Sequence, residues 1–158
     1  MKDKFYILIL LVVILISGCA TPRMYEGPKL PKEQVAIIKG DHSPKLLFAP
    51  AIFIRSSYVG FLGTDGNAFK PIYLQPGGYP SKIEVLPGYH KVIVLLHKEA
   101  FRGYAGPIYE RNKAISLEFY AEAGHDYLIK VPRWWKEGSP ITVVDVGSGE
   151  VVASETIK

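Results

Sequence analysis

The chain has little cysteine: one residue, Cys19, among 158. A single thiol makes no internal disulfide. A catalytic thiol needs a base placed by the fold, and Cys19 sits at the edge of an apolar segment. Beyond residue 18 no apolar stretch is long enough to span a bilayer, and no segment of ten or more residues carries helical periodicity with caps. There is no Gly-x-Ser-x-Gly elbow, no phosphate-binding glycine-rich loop and no His-Glu-x-x-His. A non-enzymatic protein without a cofactor is the expectation. A strong charge of one sign is also missing. Residues 1–18 hold two lysines and one aspartate, so the remaining 140 residues keep 17 basic and 14 acidic side chains, a net of +3. That is too mild and too dispersed for nucleic acid, and at most favours an anionic membrane or polymer surface. No sequence feature sets the oligomeric state.

What is present begins at the N-terminus. Lys2 and Lys4, partly offset by Asp3, precede an unbroken apolar run of 12 residues, Phe5 to Ile16. As a helix it spans about 18 Å, short of the roughly 30 Å of a bilayer core. It has the length of a signal-peptide core, and the small residues Ser17 and Gly18 follow it before Cys19.

Ile16-Ser17-Gly18-Cys19 resembles the lipobox of bacterial lipoprotein signal peptides, with Ile where Leu is commoner. The resemblance implies a diacylglyceryl group on the Cys19 sulfur, cleavage before Cys19, and acylation of the new amino group. Residues 1–18 would then be signal peptide, 19–33 the lipidated N-terminus and tether, and 34–158 the folded domain. One acyl chain binds a membrane marginally and two or more hold stably. Ala20 stands where Asp, in Gram-negative lipoproteins, signals inner-membrane retention. An envelope protein on the outer membrane, facing the periplasm, is therefore implied for a cell that has one. The segment 20–33, with Pro22, Gly27, Pro28 and Pro31, reads as an extended tether of up to roughly 40 Å, shorter if Tyr25 and Leu30 dock on the domain.

The rest reads as short strands broken by Gly and Pro, which predicts an all-β antiparallel sandwich or small barrel of about six to nine strands. Strands are expected at 34–40, at 51–63 (one or two) and, as an edge strand because of Pro71, at 69–75. Three hairpins are expected at 82–97, 114–131 and 141–154, turning in the last at Gly147-Ser148-Gly149. Val92 to Leu96 are all apolar, which predicts a strand covered on both faces. Ile115, Leu117, Phe119 and Ala121 should face the core, while Ser116, Glu118, Tyr120 and Glu122 face water or a partner.

"VLPGYHKVIV", "LEFYAEAGHDYLIKV" and "VVDVGSGEVVA" together resemble a pattern of PEGA-like β domains and uncharacterised bacterial lipoproteins. There, an apolar-Pro-Gly-x-His stretch precedes Phe-x-Ala-x-Ala-Gly-x-x-Tyr and a closing Asp-x-x-Thr-Gly turn. Ser148 replaces the usual Thr, and "FIRSSYVG" lacks the Asp-Gly that ends an earlier strand. The resemblance implies an envelope β-sandwich and supplies no active site.

Candidate chemistry is sparse. His42, His90, His97 and His125 match no common zinc spacing, and His90 and His97 fall on opposite faces of one strand. Folding that gathered His90, His125 and Asp126 would make a metal site; the simpler expectation is that these histidines brace turns. Glu118 and Glu122 lie roughly 13 Å apart along a strand, too wide for a glycosidase pair. Two aromatic stretches supply contact candidates: Tyr104 and Tyr109 in 98–112, read as a connection between hairpins, and Trp134 and Trp135 in "PRWWKEG". One tryptophan of the pair is expected to close the end of the sandwich. Residues 63–82 read as a long irregular loop. The leading expectation is a lipid-anchored protein whose loops and polar sheet face hold an envelope protein or a cell-wall polymer such as peptidoglycan. A small envelope hydrolase or metal-dependent enzyme is the alternative.

Overall fold

A computed structural model describes residues 21–47, 53–69, 79–102, 107–132 and 135–158, with side chains described outside 43–57 and 99–111. Cys19, Tyr104 and Trp134 lie outside the described residues, as does nearly all of the strand expected at 69–75. The described chain is all-β. Its strands are β1 (Ala36–Gly40), β2 (His42–Leu47), β3 (Phe53–Thr64), β4 (Asn67–Ala68), β5 (Lys82–Val85), β6 (Gly88–Arg102), β7 (Pro107–Ala121), β8 (Asp126–Lys130), β9 (Pro140–Asp145) and β10 (Val151–Thr156). That makes ten among the described residues, one more than the expected upper bound, the shortest being the two-residue β4.

They form two sheets packed face to face. The first has the order β10-β9-β8-β1-β5, and the second β2-β3-β6-β7 with β4 added on β3. All pairs are antiparallel except β1 with β8. Ile38, Ile83, Val85, Ile129, Ile141 and Val143 point inward from the first sheet, and Val59, Phe61, Val92, Val94, Leu96, Leu117 and Phe119 from the second. Each such side chain contributes about 1.5–3 kcal/mol when fully buried. The alternation expected for 115–122 holds: Leu117, Phe119 and Ala121 are buried, whereas Ser116, Glu118, Tyr120 and Glu122 are exposed.

The strands were legible, but their partners differ from expectation at two places. The segments 82–97 and 114–131 are not hairpins. β5 pairs with β1 while β6 pairs with β3 and β7, and β7 and β8 lie in different sheets. Each connection carries the chain across the core. Pro87 cannot donate to a ladder, and Gly88 at φ +148° and Gly124 at φ +81° take backbone conformations that favour glycine. The 141–154 hairpin is as expected, with β9 and β10 paired. The longest hairpin is instead β6–β7, paired from Gly88–Ala121 to Phe101–Pro107. Most of the stretch 98–112, expected as a connection, therefore lies in strands. Val92 to Leu96 is fully covered on one face and partly on the other: Val92, Val94 and Leu96 are buried, Leu95 is half-buried and Ile93 is 37% exposed.

The Asp-Gly missing from "FIRSSYVG" comes later. β3 runs on to Thr64 and ends at Asp65-Gly66, both at positive φ (50° and 85°). This is the geometry of a two-residue hairpin turn. Residues 63–69 are thus a strand end, a turn and β4 rather than irregular loop. β2 was not anticipated; it contains Pro44, which cannot donate to a ladder, and as the outer strand of its sheet it has an edge to give up.

The tether docks. Met24 N donates to Glu84 O (2.8 Å) and Glu84 N to Pro22 O (2.9 Å), extending the first sheet beyond β5. The Tyr25 hydroxyl donates to the Glu84 carboxylate and accepts from Leu30 N at 3.2 Å. Glu84 belongs to the outer face, between inward Ile83 and Val85, yet is only 6% exposed beneath this cover.

Candidate functional site

One end of the sandwich gathers the motif residues. Asp145 ends β9 and is 5% exposed. Its Oδ1 accepts from the Gly147 (2.7 Å) and Ser148 (3.0 Å) amides, which closes the β9–β10 turn. Its Oδ2 accepts from His125 Nδ1. The His125 hydrogen bond, then the Ser148 amide, hold the Asp145 carboxyl below the ordinary carboxylate range. The same bond raises the His125 imidazole above its ordinary value, with added attraction from Asp145 and Glu122. His125 Nε2 lies 3.6 Å from Glu122, and the ring stacks on Tyr127 at 6.2 Å. Tyr127 is itself buried, and its hydroxyl accepts the Glu122 amide at 2.9 Å.

His90 braces a second turn. Its Nδ1 meets Asp65 Oδ2 at 2.6 Å, its Nε2 meets the Leu86 carbonyl at 2.7 Å, and Asp65 Oδ1 accepts the Lys91 amide at 2.8 Å. The carboxyl of Asp65 is lowered: His90 and the Lys91 amide outweigh its desolvation, the largest single influence, which acts the other way. Asp126 serves Lys39 (2.8 Å) and Lys32 (3.5 Å) instead. The structure thus does not gather His90, His125 and Asp126, and each of the two histidines holds a turn. Among the described residues no group of three or more His, Cys, Asp or Glu side chains is arranged to hold a metal ion. His97 lies on the opposite face of β6 from His90, its ring tilted against Tyr58 at 4.6 Å, with Nδ1 2.6 Å from Asn112 Oδ1.

Of the expected contact residues, Trp135 is corrected. It is 1% exposed and belongs to the core, where Lys98 Nζ lies 5.7 Å from its ring centroid. A flat ring that size is worth more to packing than to a partner. The Tyr109 backbone pairs with Ala100 within the β6–β7 hairpin, and its side chain lies outside the described set.

A different surface takes their place. On the outer face of the second sheet Tyr89 pairs with Tyr120, Lys91 with Glu118 and Ile93 with Ser116. Tyr89 and Tyr120 are 65% and 60% exposed. The Tyr89 hydroxyl donates to Glu118 Oε2 at 2.9 Å, and Lys91 Nζ sits 3.2 Å from Glu118 Oε1. These contacts lower the Glu118 carboxyl, Tyr89 first and Lys91 second. An open cleft of about 490 Å³ joins Tyr120 to His125, Val151 and Val152 on β10. Two exposed rings, one with its hydroxyl fixed by Glu118, exposed valines and a charged pair make an amphipathic strip suited to protein contact. The sequence alternation had already placed Tyr120 outward; Tyr89 was hidden because its motif reads as a turn.

No family model, curated protein or solved structure matches the chain. Function therefore rests on the residues themselves. Among the described residues no helix is long and apolar enough to cross a membrane.

Proposed function

We propose that this chain is a non-enzymatic lipoprotein of the cell envelope, anchored through acylated Cys19, which holds a partner protein on the outer face of its second sheet. One observation carries the reading: the tether docks on the outer face of the first sheet, at Glu84, whereas Tyr89 and Tyr120 stand on the outer face of the other. A membrane on the tether side leaves the tyrosine strip facing away from it, toward soluble or wall-bound partners. The lipobox-like Ile16-Ser17-Gly18-Cys19 supplies the anchor. Acylation uses up the lone thiol and leaves it no catalytic part.

Labelled palmitate is expected in the wild type and not in Cys19→Ala. Equal labelling of the two removes the anchor. A photocrosslinking residue at Tyr120 is expected to trap one discrete protein in cells, and one at Lys136, distant in sequence from the strip, to trap none. Identical products from both positions argue against a dedicated face.

A further inference from the structure

Between the docked tether and the outer face of the first sheet lies a cleft of about 530 Å³. Arg23, Lys29, Lys32 and Lys82 line it, with Glu84 as its one lining carboxylate. Glu84 is already engaged by the Tyr25 hydroxyl and shielded from solvent. Lys32 shares Asp126 with Lys39, which holds the closer place at 2.8 Å against 3.5 Å. Arg23 spends one nitrogen on the Gly27 carbonyl at 3.2 Å. The Lys29 and Lys82 ammonium groups make no hydrogen bond or ion pair among the described residues. Apolar Leu30, Val35 and Ile37 line the same cleft.

Position adds a second argument. Thr21 lines the cleft and is two residues from Cys19, so the chain holds the two within about 7 Å. We infer that the cleft binds the anionic phosphate headgroup of a membrane lipid, seated beside the protein's own anchor; this rests on the reading of Cys19 as acylated. Lysine and arginine from the tether, from the 3₁₀ turn Lys32–Gln34 and from β5 surround the phosphate oxygens, and the apolar lining receives the glycerol and first methylenes. A free phosphate uses the cations and leaves the apolar lining idle. Juxtamembrane cations of this kind favour anionic over zwitterionic lipid.

The test uses the full lipidated chain, purified in neutral detergent and titrated with short-chain phosphatidylglycerol or phosphatidylcholine under native mass spectrometry. The wild type is expected to prefer phosphatidylglycerol at least tenfold. Lys29→Glu with Lys82→Glu, and separately Lys29→Gln with Lys82→Gln to keep shape without charge reversal, are expected to lose that preference. Equal retention of both lipids, or undiminished preference in both double variants, overturns the site. Displacement of the lipid by inorganic phosphate at equal concentration overturns the lipid as its ligand. Palmitate labelling separates the two readings: label without lipid preference removes the cleft and leaves the anchor, whereas preference without label does the reverse.

Discussion

Asp145 makes five hydrogen bonds with one carboxylate and one backbone. Its oxygens take two amides and an imidazole, while its own N–H and C=O bond Glu150 and Gly149. Replacing it with Ala strands those amides and is expected to cost about 2 kcal/mol, the range for hydrogen bonds to a charged group. Equilibrium urea unfolding measures this. The pH dependence follows from the two directions. His125 is raised, so its share is fully present below about 6.5 and is lost as pH rises through the folded value. Asp145 is lowered, so its share is present above about 3.8 and is lost as pH falls through the folded value. The gap in stability between wild type and Asp145→Asn is thus expected to be widest between about pH 4 and 6.5. A gap that widens above pH 7 contradicts the pairing.

At the scale of elements, the crossing from β1 to β2 is the tightest point. Gly40 N bonds Ser81 O, and Asp41 joins the sheets by donating to Ile129 O and accepting from Val59 N. A Cβ at Gly40 would sit 2.1 Å from the Val59 carbonyl oxygen, a backbone atom that cannot step aside. Gly40→Ala is expected to lose about 3 kcal/mol or more, through overpacking, in the same unfolding measurement. This crossing also marks what a sequence can disclose. Period-two alternation tells which side of a strand is apolar, so the inward set of β7 was readable residue by residue. It does not tell which strand lies alongside. A Pro-Gly or Gly-His-Asp connection serves a hairpin and a sheet crossing equally well, and strand length separates them only weakly: β6 and β7, the pair that does form a hairpin, are both 15 residues long. For the same reason the outward Tyr89 was concealed beside Pro87-Gly88, and nothing in "PRWWKEG" marks Trp135 as a core ring before packing is seen.

For the molecule as a whole, residues 22–30, expected as an extended tether, are docked on the domain. Proline and glycine in 20–33 read as reach, and the reading of Tyr25 and Leu30 as docking residues proves the more useful half, since Tyr25 bonds both Glu84 and the Leu30 amide. The chain composition gives no hint of the buried carboxylate that receives Tyr25. Tyr25→Phe removes that bond and keeps the ring. Hydrogen exchange at Met24, whose amide bonds Glu84 O, is expected to quicken roughly tenfold, the equivalent of one hydrogen bond. Unchanged exchange there means the hydroxyl contributes nothing to docking.

The docked segment also has a mechanical meaning. Load applied at the N-terminus enters the domain at Pro22 and Met24, across two backbone bonds to Glu84, before it reaches any core strand. Those bonds act as a weak link in series with a strong body. When they yield, residues 22–30 come free, a contour of roughly 28 Å at 3.1 Å per residue. A force trace should therefore record one short, low-force extension ahead of the unfolding of the sandwich, a stored length let out before the fold itself is strained.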